Sequence, residues 1–103
     1  METYEFGHEA TSRLPGTRTS AIAGVVASGN LEVLLERIAD GARCEITVVT
    51  PVSGFEPMWQ AVVQDFVERH APGGLRISIN DGGARPDTVS LRLAQGVRLM
   101  TTP

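Results

Sequence analysis

Apolar and polar residues alternate along several short stretches of this chain, and that period of two constrains its fold more than any other feature. The alternation runs through residues 31–38, 43–52 and 75–80, as expected for strands with one buried face. Residues 19–26 are rich in β-branched and small residues, which also suit a strand. Between the stretches at residues 43–52 and 75–80, apolar residues recur instead at helical spacing: Met58, Trp59, Val62, Val63, Phe66 and Val67.

The C-terminal stretch can be interpreted in two ways. Four apolar residues share one helical face: Val89, Leu93, Val97 and Met100. Val89, Leu91 and Leu93 also alternate like a strand, and Gly96 would cost a helix about 1 kcal/mol against alanine. We interpret the stretch as a helix. The sequence then predicts a two-layer α+β domain of order β-β-β-α-β-α, in which two helices cover one face of a mostly antiparallel four-stranded sheet.

Turn and cap signals suggest where these elements begin and end. Residues 1–18 show no sustained periodicity, so we expect a flexible N-terminal arm there, with at most a short strand at residues 4–6, and a single domain over 19–103. Asp40-Gly41 predicts a turn after the second strand. Ser53 and Glu56 fit a capping box that opens the first helix, and Pro57 suits its first turn.

A tight hairpin is predicted between the first two strands. Gly29 and Asn30 tolerate positive φ angles, so this pair is expected to form the turn. Ser28 then lies at the hairpin tip, beside a residue without a side chain. We therefore expect its hydroxyl to be exposed.

Composition excludes several classes of function. The chain of 103 residues carries a net charge of −3, and its nine basic residues are scattered arginines, whereas a nucleic-acid-binding protein would usually concentrate them. One cysteine and two histidines allow no internal disulfide and no typical metal-ligand spacing. We find no apolar run of the ~20 residues needed to span a bilayer and no secretory signal. We therefore expect a cytoplasmic protein that binds neither nucleic acid nor membrane.

Few side chains are candidates for catalysis. His8 lies in the predicted arm, and His70 lies at a helix end, where a cation also suits the helix dipole. Cys44 has the periodicity of a core strand residue. Other groups also have simpler roles: Trp59 as a core anchor, Glu32 and Glu36 as a solvated strand face, and Gly82-Gly83 as a loop without a P-loop lysine. The residues alone therefore indicate a small domain poor in catalytic groups, and they do not reveal its function.

Three stretches, in this order, resemble the acyl carrier subunit of malonate decarboxylase. The first runs from Ser28 to Glu36, Ser-Gly-Asn-Leu-Glu-Val-Leu-Leu-Glu, and is similar to the family's Ser-Gly-Asp-Leu-Glu-Val segment. The second covers residues 48–55 and is followed by Trp59-Gln60. The third covers residues 80–86, Asn-Asp-Gly-Gly-Ala-Arg-Pro, and leads into residues 89–95. The resemblance extends over roughly residues 20–98.

This resemblance implies a covalent cofactor on Ser28. In the family a 2'-(5''-phosphoribosyl)-3'-dephospho-CoA group is joined to the serine by a phosphodiester, and its thiol carries acetyl and malonyl units. Gly29 and Asn30 would flank the attachment point. Asn30 stands where the family usually has aspartate, which changes the charge presented to the attaching enzyme, and Gly82 replaces a larger residue in the loop at residues 80–86.

The resemblance also implies partners. These are an acyl-ACP:malonate transferase subunit, a decarboxylase subunit pair and a prosthetic-group transferase, while the carrier itself is not an enzyme. Three alternatives remain open at this point. The carrier subunit of citrate lyase shares the Ser-Gly-Asp hairpin and the cofactor, an unmodified module could scaffold an enzyme complex, and an independent small enzyme would need a nucleophile–base pair or metal cluster that the sequence does not suggest.

Overall fold

A computed structural model describes residues 1–39 and 41–103, which form one mixed sheet and two helices. The strands are β1 (Glu2–Glu9), β2 (Ser20–Gly24), β3 (Leu31–Arg37), β4 (Arg43–Thr50) and β5 (Leu75–Asp81). The helices are α1 (Glu56–His70) and α2 (Pro86–Thr101). The predicted α+β class is confirmed, and so is the helical interpretation of the C-terminal stretch.

The sheet differs in detail from the one predicted. It has five strands rather than four, in the order β1-β4-β5-β3-β2. Neighbouring strands run antiparallel except β4 and β5, which are parallel and joined through α1. A helix is the usual connection between parallel neighbours, because they require a long crossover. In this order β5 lies between β3 and β4, although β3 and β4 are consecutive in sequence.

The additional strand is β1, within the segment for which we predicted an arm. It pairs antiparallel with β4, placing Tyr4 opposite Val48 and Phe6 opposite Ile46. The sequence pattern is weak here because the half-buried row of this edge strand begins with Glu2 and ends with His8. Residues 2–9 thus belong to the sheet. The division of the chain into a flexible arm at residues 1–18 and a domain at residues 19–103 stays a prediction.

Residues 14–18 also contact the domain. Leu14 is buried, with 3% of its surface exposed. The Arg37 guanidinium on β3 donates hydrogen bonds to the carbonyl oxygens of Pro15 at 2.7 Å and Arg18 at 2.9 Å. Carbonyl oxygens are good acceptors for a guanidinium, whose five N–H donors form a fixed fork. Arg37 therefore attaches this segment to the sheet.

One face of the sheet packs against both helices. The inward rows of β3, β4 and β5 and the apolar stripes of α1 and α2 form a single buried cluster. Gly96 allows the close approach of α2, because a Cβ there would lie 2.4 Å from Leu35 Cδ1. The glycine that weakened the helical prediction is thus a packing requirement. Within the described residues, neither helix is long and apolar enough to cross a membrane.

The start of α1 differs from prediction. Phe55 is the N-cap residue and no side chain among the described residues caps the helix, so the predicted capping box of Ser53 and Glu56 is wrong. Pro57 does lie in the first turn, as predicted. The turn predicted at Asp40-Gly41 falls partly on Asp40, which lies outside the described residues.

Candidate functional site

The segment between β2 and β3 carries Ser28 on a β-turn of residues 27–30, which we call the Ser28 turn. Asn30 N donates to the Ala27 carbonyl oxygen at 2.9 Å. Gly29 has a φ of +74°, a value that L side chains rarely adopt and that the third position of a type II turn requires. The central residues are therefore Ser28 and Gly29, one position earlier than the Gly29-Asn30 pair that the sequence predicted.

Ser28 is exposed, as expected from the sequence. Within the described residues, its hydroxyl oxygen has no hydrogen-bond partner. A Cβ built on the adjacent Gly29 would have no heavy atom within 4 Å. The exposure of Ser28 and the open space beside Gly29 leave room for a bulky substituent on the serine.

The Ser28 turn is fixed to the loop after β5. Gly29 N donates to the Gly82 carbonyl oxygen at 2.9 Å, and Gly82 N donates to the Asn30 carbonyl oxygen at 2.8 Å. A Cβ on Gly82 would lie 2.1 Å from the Ala27 carbonyl oxygen, far inside van der Waals contact. In this chain Gly82 therefore has a steric role in seating the turn. Sequence reasoning missed this role because the two segments are far apart in the chain.

Asn30 links the turn to α2. Its side-chain Oδ1 accepts hydrogen bonds from Leu31 N at 2.8 Å and from Arg92 Nε at 3.1 Å. Arg92 also donates to Gln95 Oε1 at 2.8 Å. An aspartate would offer the same acceptor geometry, so Asn30 preserves the contacts and removes one negative charge beside Arg92. Arg92 carried no sequence signal for the site, since it lies 62 residues from Asn30.

An apolar groove opens at the same end of the sheet as the Ser28 turn. We call it the end groove; its volume is about 260 Å³. It lies between the end of β4, the start of α1 and the loop after β5, and its apolar lining includes Val52, Phe55, Met58, Trp59, Ala84 and Pro86. Phe55 is 50% exposed and Val52 is 38% exposed.

Two buried polar residues hold the walls of the end groove together. Thr50 Oγ1 donates to Asp81 Oδ2 at 2.8 Å and accepts from Val52 N at 3.1 Å. The other carboxylate oxygen of Asp81 accepts from Ala84 N at 2.9 Å. Among the described residues, no buried side-chain nitrogen or oxygen lacks a partner. The buried polar atoms of Thr50 and Asp81 are therefore already satisfied, whereas Arg85, which also lines the end groove, has an exposed side chain.

Among the other sequence candidates, His8, Cys44 and His70 lie away from the Ser28 turn, whereas Glu32 follows it by two residues on β3. His8 is opposite Cys44 in the β1–β4 register, and the His70 ring packs 5.3 Å from Phe66 at the end of α1. Glu32 and Glu36 lie on the sheet face opposite the helices, across from Asn80 and Arg76. No group of three or more potential metal ligands occurs among the described residues. His8 and Cys44 are thus neighbours across two strands, but among the described residues no hydrogen bond joins their side chains.

Cys44 is expected to be chemically inert in the folded protein. It is completely buried on β4, and burial raises the pKa of its thiol to about 12. The thiolate is the reactive form, so almost none is present near pH 8. We predict that the unmodified native protein does not react with Ellman's reagent and that the unfolded protein reacts with one equivalent. Rapid reaction of the native protein would show that β4 opens readily.

Comparison with known proteins identifies the same family over most of the chain. Residues 18–100 match the family model described as "Malonate decarboxylase delta subunit (MdcD)". A malonate decarboxylase acyl carrier protein from Bradyrhizobium diazoefficiens is 61% identical over 98 residues, covering 95% of this chain and 93% of that protein. One from Burkholderia cepacia is 54% identical over 95 residues, covering 92% and 86% respectively.

A solved structure has the same fold. It comes from a Pseudomonas malonate decarboxylase hetero-tetramer crystallised in complex with malonate. The matching chain is 41% identical, with a TM-score of 0.85, and the match covers 97% of this chain and 99% of that chain. The matched region agrees with the extent of the resemblance found in the sequence motifs.

Proposed function

Because this chain belongs to the malonate decarboxylase delta subunit family, we propose that it is the acyl carrier subunit of a biotin-independent malonate decarboxylase. In this proposal Ser28 bears a 2'-(5''-phosphoribosyl)-3'-dephospho-CoA group through a phosphodiester, with Gly29 and Asn30 beside it. Family membership argues against the citrate lyase alternative. A cytoplasmic location is part of the same proposal.

The environment of the Ser28 hydroxyl is the observation that supports Ser28 as the attachment site. This hydroxyl is exposed, it has no partner within the described residues, and the adjacent Gly29 leaves open space around it. A modifying enzyme has to reach this oxygen from outside, and these features provide access. Buried Ser or Thr hydroxyls, such as that of Thr50, are already hydrogen-bonded and lack such access.

The rest of the turn supports a fixed root for a mobile arm. When bound, the prosthetic group supplies a thiol that carries acyl groups. Gly82 holds the backbone of the Ser28 turn from one side, and Arg92 holds the Asn30 side chain from the other. Arg92 also places a positive charge at the base of the turn, which favours the negative charge of a phosphodiester.

A carrier needs few catalytic groups of its own. The proposed partners are an acyl-ACP:malonate transferase subunit, a decarboxylase subunit pair and the prosthetic-group transferase that modifies Ser28. Tethering presents the acyl group to each partner at roughly millimolar effective concentration without requiring a new binding contact.

The intact mass of the chain tests the proposal. We expect chain purified with its partner subunits from the native host to carry an added mass equal to that of the prosthetic group. Chain produced in a host without the transferase should have the mass of the polypeptide alone. A fully active native complex containing only unmodified chain would contradict the carrier function and favour the scaffolding alternative.

A further inference from the structure

We infer that the end groove is a resting site for the distal, acyl-bearing part of the arm on Ser28. This inference rests on the proposed function and extends it to a second binding site on the same chain. Val52, Phe55 and Trp59 would contact the arm whenever it is not in a partner's active site.

The position of the end groove makes it reachable from Ser28. Gly82 is hydrogen-bonded to the Ser28 turn, and the next residue, Gly83, lines the end groove. Covalent geometry and the 2.9 Å bond from Gly29 N to Gly82 O place the Cα atoms of Ser28 and Gly83 within about 9 Å of each other. A flexible arm rooted at Ser28 has only to fold back over this short loop.

The lining of the end groove suits a largely neutral and apolar occupant. Half of the Phe55 surface and more than a third of the Val52 surface face solvent, whereas Met58 is half-buried and Trp59 is buried. Thr50 donates to Asp81 and accepts from Val52 N, and Asp81 also accepts from Ala84 N, so neither buried side chain needs a hydrogen bond from the occupant. The other charged residue of the lining, Arg85, is exposed and can keep its contact with water. An acyl group and the adjoining chain of the arm can bury apolar surface here, and removing that surface from water stabilises the contact.

The other two sequence motifs, which do not contain Ser28, also meet at the end groove. Residues 48–55 provide one wall and residues 80–86 provide the opposite wall. The Gly54 N–H donates to Glu2 Oε1 at 3.2 Å, which attaches the first wall to β1. These motifs therefore build an open, supported groove rather than only filling the core.

Tethering means that a weak contact is enough. At roughly millimolar effective concentration, a site with a dissociation constant near 1 mM is occupied about half of the time. Such a contact shields the thiol part of the time and releases it quickly to a partner subunit. A tight site would instead compete with the partners and slow turnover.

The test uses the reactivity of the arm's thiol in isolated, modified protein, with the modification verified by intact mass. Cys44 is buried, so Ellman's reagent should report the arm alone. We expect the thiol of the wild-type protein to react at least about twofold more slowly than free pantetheine, the factor that half occupancy gives. Phe55→Ser should restore the rate of free pantetheine.

Leu91→Ser provides the matched control. Leu91 is 53% exposed, close to the 50% of Phe55, but it lies on α2 outside the end groove. This variant should keep the wild-type rate. A second measurement needs no variant. The fluorescence of Trp59, the only tryptophan in the chain, should differ between wild-type protein with and without the arm.

The outcomes separate the two proposals. Modified wild-type protein whose thiol reacts as fast as free pantetheine, with unchanged Trp59 fluorescence, would overturn the resting site and leave the carrier function standing. Protein that carries no arm when isolated with its active partners would overturn both. Equal acceleration by Phe55→Ser and Leu91→Ser would also count against the end groove.

Discussion

A decarboxylase complex assembled with Ser28→Ala is expected to lose malonate decarboxylation by about a thousandfold or more. Alanine has no oxygen to form the phosphodiester, so the complex loses the arm and the effective concentration that tethering provides, a gain of about 10²–10⁴. The fold should not suffer, because substitutions at exposed positions without partners usually change the free energy of unfolding by less than about 0.5 kcal/mol. The measurement is carbon dioxide release by complexes of equal subunit composition.

Ser53→Ala is the matched control for that experiment. Ser53 is also exposed, and it precedes α1 without capping it. The control complex should retain wild-type activity, provided that its chain carries the arm. Normal activity of the Ser28→Ala complex would show that the arm is attached elsewhere or is not required.

Gly82→Ala is expected to destabilise the domain by about 1–3 kcal/mol, the usual cost of overpacking. The added Cβ would lie 2.1 Å from the Ala27 carbonyl oxygen and 3.0 Å from that of Asn30. Both atoms are backbone, so they cannot rotate away as a flexible side chain can. Either the Ser28 turn or the loop after β5 has to move, and the hydrogen bonds between Gly29, Gly82 and Asn30 weaken. Urea unfolding measures the loss of stability, and the rate of arm attachment measures the displacement of the turn.

Gly54→Ala separates steric collision from backbone strain. Gly54 has a φ of +85°, but a Cβ there would have no heavy atom within 4 Å. We expect a loss of about 1–2 kcal/mol from the left-handed conformation and a normal rate of arm attachment. Equal rates of arm attachment to the Gly82→Ala and Gly54→Ala proteins would show that the contact of Gly82 with the Ser28 turn has no role in modification.

The elements of the inner sheet could be predicted because each has one clearly buried face. In β3 the buried residues Leu31, Val33 and Leu35 alternate with half-buried ones, and β4 and β5 behave similarly. β1 was not predicted as a full strand because an edge strand buries less surface, and its inward row includes Glu2 and His8. Periodicity reports burial, so it is weakest where burial is partial.

The site was predictable in part. A glycine beside Ser28 indicated a turn, and the exposed serine followed from that turn. The exact turn residues were missed by one position because both Gly29 and Asn30 tolerate positive φ, and only Gly29 adopts it. The contacts of Gly82 and Arg92 with the turn depend on tertiary structure, and no local pattern signals them.

Helix α1 was predicted correctly, but the capping box predicted at its start was wrong. Ser53 and Glu56 have the spacing of a capping box, yet the N-cap is Phe55 and Glu56 is the first helical residue. Gly54 bends the chain at positive φ and donates its N–H to Glu2. The contact with β1, which the sequence did not reveal, places the segment so that Phe55 lines the end groove.

The central claim is that the Ser28 oxygen carries the arm, and fragment-ion mass spectrometry of one tryptic peptide tests it most directly. Cleavage after Arg18 and Arg37 releases residues 19–37, which contain both Ser20 and Ser28. In protein from the active native complex, every fragment that includes Ser28 should carry the added mass, and fragments that contain only Thr19 and Ser20 should not. Added mass on Thr19 or Ser20, or none anywhere in this peptide, would contradict the account.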